Sequence, residues 1–431
     1  MKLFALITLI CFLTLSCSTM SPDMSPDINT TKVELGEMIF FDTTLSQNRN
    51  QSCASCHDPS AGWSGPITHF NAAGAAYEGS VKNRFSNRKP PTAAYASFNP
   101  VLHIIPEEDN LVVGGNFWDG RATGEKLGTA VADQAQGPFL NPLEHALPNS
   151  ACVVHRVCTG AYSEQFKQHW PNSCNILWPE TIEPFCANDI EAFTVDADIQ
   201  AQINKAYDEI ALTIAEFESS NKLNSFTSKY DYYLSGKVKL TAQELKGLEL
   251  FNNKGKCAAC HPSTASDPDV PPLFTDFTYD NLGFPRNPEN PFYTQHQFNS
   301  EGIQWIDYGL GTFLASRPEW KHLSEENLGK HKVPTLRNVD KRPNPQFIKA
   351  FGHNGYFKSL KAIVHFYNTR DSLERCKNGS TDEQENCWPA PEVSVNINTS
   401  ELGDLKLTDA EEDAIVAFMK TLSDGYEVKE N

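Results

Sequence analysis

Apolar residues recur at helical spacing in a few short, widely separated stretches of this chain, and the segments between them are rich in Pro, Asn and Gly. Leu35-Gly36-Glu37-Met38-Ile39-Phe40-Phe41 reads as one such helix, and Leu248-Glu249-Leu250-Phe251, preceded by Gly247, as another. Thr241-Ala242-Gln243-Glu244 is a capping-box start for the second. Thr408-Asp409-Ala410-Glu411 opens a last helix with Ile415, Phe418, Met419 and Leu422 on one face. A further helix carrying Ile210, Ile214 and Phe217 is expected to cross between two similar halves. The stretch from Asp267 to Gly311 sustains no period and reads as coil. The pattern predicts a mainly α-helical protein with long loops and little strand.

At the N-terminus, Met1-Lys2 is followed by an apolar run from Leu3 to Leu15, the form of a secretory leader. A membrane span needs about 20 apolar residues, more than this run supplies. Leu13-Thr14-Leu15-Ser16-Cys17 resembles a bacterial lipobox, so lipidation at Cys17 and simple cleavage near Ser18 both stay open. Either outcome places the protein in the periplasm or cell envelope. The 54 acidic residues against 36 basic give a formal charge of -18, which repels nucleic acid and attracts a basic protein partner.

Of the twelve cysteines, Cys11 and Cys17 belong to the leader. Cys152, Cys158, Cys174, Cys186, Cys376 and Cys387 form an even set in an exported chain and read as disulfides; six cysteines allow 15 connectivities, with local pairs plausible. The other four stand in Cys53-Ala54-Ser55-Cys56-His57 and Cys257-Ala258-Ala259-Cys260-His261. Both have the C-x-x-C-H form of covalent haem attachment, in which two thiols reach two vinyl groups and the histidine falls beneath the iron. A thioredoxin-like thiol pair would not need the histidine twice. The expectation is two covalently bound haems c, with His57 and His261 as proximal axial ligands. The implied organisation is a signal peptide over 1–17, a tether over 18–30, a first cytochrome c-like domain over 31–205, a linker helix region over 206–240 and a second such domain over 241–431.

The wording of four further segments resembles the di-haem cytochrome c peroxidases and their MauG-like relatives, across nearly the whole mature chain. These are Phe117-Trp118-Asp119-Gly120-Arg121-Ala122, Gln134 through Glu144, Val333-Pro334-Thr335-Leu336-Arg337-Asn338-Val339, and His353-Asn354-Gly355-Tyr356-Phe357. The resemblance implies an enzyme that reacts with hydrogen peroxide at the first haem, with electrons relayed through the second. It implies a distal pocket of Gln134, Pro138 and Glu144. Opening a peroxide needs one group to take a proton from the near oxygen and return it to the leaving one, and a carboxyl raised by an apolar pocket can do both. Alone, Glu144 reads equally well as a turn residue after Asn141-Pro142. Trp118 matches the tryptophan between the two haems. The gap from Trp118 to Gln134 is longer than in the family's usual pattern, which leaves the shape of the pocket open.

Many members close the first iron with a histidine from the following loop, yet Gly74 to Pro91 contains none, so the first haem is expected to be open, as in the MauG-like branch. His69, just before the loop, is the remaining candidate to close it. For the second haem the matching position in Leu360 to Tyr367 is Tyr367, with His365 and His353 as rivals, and no methionine lies in that segment. The resemblance also implies a calcium ion between the domains, with Asn87 as side-chain ligand. The electron source would be a small cytochrome c or cupredoxin. Two other readings remain, a MauG-like oxidation of residues on a partner protein and a plain di-haem electron carrier.

Overall fold

The computed structural model describes residues 30–188, 194–376 and 386–428; the leader, Cys17 and residues 18–29 of the expected tether lie outside them. Among the described residues twelve helices carry the fold: α1 Lys32–Phe40, α2 Thr68–Ala72, α3 Ala130–Leu140, α4 Ser150–Thr159, α5 Ser163–His169 and α6 Ile182–Asn188, then α7 Ala197–Glu218, α8 Lys229–Leu234, α9 Ala242–Asn252, α10 Leu310–Ala315, α11 Leu360–Thr369 and α12 Asp409–Lys420. Among the described residues, strand forms three two-stranded ladders, of which His103–Ile105 with Leu111–Val113 is the longest. None of the described helices is long and apolar enough to cross a membrane.

Two apolar cores repeat one device. In the first, α1 starts at a capping box of Thr31 and Glu34 and crosses α7. In the second, α9 starts at the expected box of Thr241 and Glu244 and crosses α12, itself capped by Thr408 and Glu411. At each crossing a glycine lets the backbones meet. A methyl on Gly36 would land on the Thr213 carbonyl, and one on Gly247 on the Ala414 carbonyl.

The helix around Ile210, Ile214 and Phe217 is therefore not a link. It is α7, the closing helix of the first core, in which Ile203, Ala206, Ile210, Ile214 and Phe217 are buried against Leu35, Ile39 and Phe40. The expected boundary at 205/206 falls inside it, because three turns of apolar residues on one face bind a helix to a core more strongly than its place in the chain suggests. The first core closes with Leu223 and the second begins with Tyr230. The coil from Asp267 onward joins them: Tyr279, Leu310, Leu314 and Leu323 pack with Leu102 and Val112 of the first half.

The six cysteines pair locally. Cys152–Cys186 and Cys158–Cys174 tie α4, α6 and the intervening segment to one another, and Cys376–Cys387 closes a short loop in the second half.

Candidate functional site

Each core ends in a short turn, Cys53–Ser55 or Cys257–Ala259, that presents two unpaired thiols and a histidine to a cavity. In the first, His57 Nδ1 lies 3.2 Å from the Trp63 carbonyl. In the second, His261 Nδ1 lies 2.8 Å from the Phe274 carbonyl. A carbonyl can only accept, so both rings carry their proton on Nδ1 and leave the Nε2 lone pair free. Burial pushes His57 down to about 4 and also lowers His261, which keeps both imidazoles in the neutral form that binds a metal. Thiol pair and neutral imidazole together are the donor set that a covalently attached haem requires.

The wall of the first cavity holds Gln134, Pro138 and Glu144 together with Cys53, Cys56 and His57. α3 ends just after Pro138, and Asn141 then turns the chain by accepting from the Leu143 N–H at 3.0 Å. The same side chain donates to Glu144 Oε1 at 2.7 Å. The turn is thus what aims Glu144 at the cavity, and the two readings of this residue are compatible. Burial raises the Glu144 carboxyl, against the opposing pull of Arg121 and Asn141.

Four further groups line this cavity that the sequence reading did not select. Arg121 is held by both oxygens of Asp119, at 2.9 and 2.8 Å, and lies over the Phe117 ring at 3.7 Å. His145 is buried with Nδ1 at 2.8 Å from the Leu45 carbonyl, and burial pushes it down to about 4. Tyr77 donates to Asn71 Oδ1 at 3.1 Å. Glu218 is buried on α7, and desolvation pushes it up to about 8. Only Glu218 left a sequence signal, an acid on the face marked by Ile210 and Ile214. The loop after the first motif reaches the cavity through Tyr77 and residues 86–91, whereas His69 is exposed on α2 with its ring 4.3 Å from that of Phe70.

The second cavity is lined by Phe251, Phe284, Phe351 and Tyr367. Tyr367, projected from α11, lines it beside His261, and its ring stacks on Phe284 at 6.3 Å and 21°. Burial, with the neighbouring Cys260 and Cys257, raises the Tyr367 phenol above its ordinary range. His365 turns away to Glu412 Oε1 at 2.9 Å. His353 lines the cavity but stacks face to face on His331 at 3.5 Å. Met419 of α12 also reaches this wall, although it lies outside the segment searched for a methionine.

Trp118 belongs to both cavities, as do Lys89, Lys332 and Pro334. Its indole N–H donates to the Lys89 carbonyl at 2.8 Å, and its own carbonyl accepts from the Lys332 backbone N–H at 2.9 Å. One tryptophan is thereby fixed to strands of chain from both halves. Asn87 lines the first cavity beside Arg88 and Lys89, and its backbone carbonyl accepts from Asn290 Nδ2 at 2.9 Å.

A family model described as di-haem cytochrome c peroxidase matches residues 30–239. The methylamine utilization protein MauG of Paracoccus denitrificans is 31% identical over 391 residues, which cover 90% of this chain and 88% of that protein. The cytochrome c551 peroxidase of Nitrosomonas europaea is 29% identical over 238 residues, 55% of this chain and 53% of that one. Among solved structures, the diheme peroxidase BthA from Burkholderia thailandensis superimposes with a TM-score of 0.70 at 26% identity, covering 92% of this chain and 87% of that one.

Proposed function

Because this chain belongs to the di-haem cytochrome c peroxidase and MauG family, whose members carry two haems c and act as peroxidase-type oxidoreductases, we propose that it reacts with hydrogen peroxide at the first cavity and relays electrons through the second. The observation that carries this reading is Glu144, a raised carboxyl on the same cavity wall as Gln134, Pro138 and His57.

Bound through Cys53, Cys56, Cys257 and Cys260, the haems supply the redox chemistry; the residues around them supply the rest. His57 and His261 offer Nε2 to the two irons. Glu144 takes the proton from the near oxygen of peroxide and returns it to the leaving oxygen, so that water departs without charge. Gln134 orients peroxide by its amide, and Pro138, which has no N–H and no polar side chain, keeps the distal face clear. Trp118 joins the two cavities as the electron path. Tyr367 would hold the second iron through its phenolic oxygen, where a phenolate would donate charge that favours higher oxidation states. The donor would be a small, basic redox protein drawn by the charge of -18, and the leader places the meeting outside the cytoplasm.

Tyr367 also favours a second reading, oxidation of side chains on a partner protein, since it supports storing two oxidising equivalents rather than spending them at once. The two readings part on mixing the peroxide-treated holoprotein with a small reduced cytochrome: rapid reoxidation of the cytochrome supports the peroxidase, and none leaves the partner-protein reading. The common core of both is an open first haem. Electron paramagnetic resonance of the diferric holoprotein is expected to show one high-spin and one low-spin haem. Two low-spin signals would overturn the open site, and a His145→Ala variant would then show whether His145, rather than the exposed His69, had closed it.

A further inference from the structure

The two halves meet around buried cations that the chain itself provides. Lys349, 5% exposed, aims Nζ at three backbone carbonyls: Ala61 of the first half at 2.9 Å, and Asn338 and Lys341 of the second at 3.0 Å each. Lys358 meets Asn71 and Ala73 of the first half at 2.8 and 2.5 Å and Gly355 of the second at 2.6 Å. Lys332 reaches Gly114 of the first half at 3.1 Å and Phe277 of the second at 3.2 Å. Lys349 and Lys358 of the second half each complete a three-carbonyl cage shared with the first, and Lys332 bridges one carbonyl from each half.

Burial pushes all three amines down. A carbonyl, however, offers only lone pairs, and the three at Lys349 and the three at Lys358 are satisfied together only by three N–H donors, which is the ammonium form, whereas Lys332 meets two. Convergent carbonyl oxygens are also what a hard divalent cation takes, normally completed by carboxylates. Next to Asn87 the carboxylates are committed elsewhere. Arg88 holds Asp307 by two bonds of 2.6 Å and Asp119 by a third of 2.6 Å. Asn87, the expected calcium ligand, is flanked on the cavity wall by the cations Arg88 and Lys89. The residues present do not fit a calcium ion.

We propose that the cation joining the two halves of this protein is its own pair of lysine ammonium groups, Lys349 and Lys358, so that the haem modules lock together without calcium. The test uses the full holoprotein and none of its readouts depends on the peroxide reaction. Metal analysis after desalting should find calcium well below one per chain, and excess EGTA should leave both the melting temperature and the resting paramagnetic resonance spectrum unchanged. Lys349→Met and Lys358→Met, which keep the stem and delete the donors, should each lower the melting temperature, and added calcium chloride should not restore it. Because Lys349 is deeply buried and its variant can fail to fold, Lys358→Met, at the half-buried cage, keeps the test decisive. One calcium retained per chain, a spectrum altered by EGTA, or a Lys358→Met variant that melts with the parent would each overturn the proposal.

Discussion

The two modules share their proximal halves and diverge in their distal ones. Each has a capping-box helix crossing a closing helix over a glycine, a turn carrying two thiols, and a histidine fixed at Nδ1 by a carbonyl. Beyond the histidine they separate. The first cavity gathers Gln134, Glu144, Arg121 and His145, all able to exchange or orient protons. The second sets Tyr367, Phe284, Phe351 and Met419 beside His331, His353 and Glu392. The two halves thus share one scaffold, and their cavity walls differ in the side chains that α3 and the Glu144 turn deliver to the first and α11 and α12 to the second. The first module carries the larger addition, α4 to α6 with its two disulfides, directly after the Glu144 turn.

If the distal side chains carry the difference, removing them should erase it. The largest effect is expected at Glu144. Glu144→Gln should retain both haems and reduce normally, while its stopped-flow reaction with peroxide slows by roughly 10²–10⁴-fold, the usual loss of a general acid-base group. A variant reacting at the parent rate would make Glu144 a turn residue only. Tyr367→Phe should convert the low-spin haem to high spin and so make the two sites spectroscopically alike. An unaltered low-spin signal would pass the ligand role to His353 or Met419.

The shared proximal half predicts symmetry instead. Gly36→Ala and Gly247→Ala each force a methyl into a facing carbonyl, and each should cost about 1–3 kcal/mol in chemical denaturation, as overpacking generally does. Clearly unequal costs would break the equivalence of the two crossings. The smallest effect concerns Glu218, which has no counterpart in the wall of the second cavity on α12. Its folded-state value of about 8 lies above the ordinary 4.5, so the native state holds a proton that the unfolded chain releases first. Its contribution to stability is present in full below about pH 4.5 and declines as pH rises towards 8. Glu218→Gln should flatten that decline in melting temperature against pH, and an unchanged slope would remove Glu218 as its source.

Much of this comparison was legible in the residues themselves. The two C-x-x-C-H motifs and the capping boxes at Thr241 and Thr408 rest on short-range chemistry, which local sequence states fully. The gathering of Gln134, Pro138 and Glu144 at one cavity followed from likeness to known proteins and stands in the structure as one wall. The place of α7 was misjudged, since what assigns a helix to a core is the partner it meets, and α1 lies far upstream. The disulfide pairing was open for the same reason. His145, Arg121 and Met419 were missed because a residue enters a cavity by tertiary position, and neither spacing nor hydropathy announces it. Asn87 was expected to hold calcium from the family likeness alone, and the Arg88 ion pairs beside it could not be read from the chain.

The helix crossings also order events in time. α1 cannot close its core until α7 exists, and α9 must wait for α12; the intervening stretches, 41–196 and 253–408, are of equal length. Loop-closure entropy of that size keeps an unfinished module open. Cys53 and Cys56 follow α1 closely, so during chain emergence they are reachable long before their closing helix arrives, and the same holds for Cys257 and Cys260. Each pair of thiols thus stands in the chain well before the helix that closes its core, whereas the first cavity is complete only once Lys332 to Thr335 of the second half arrive.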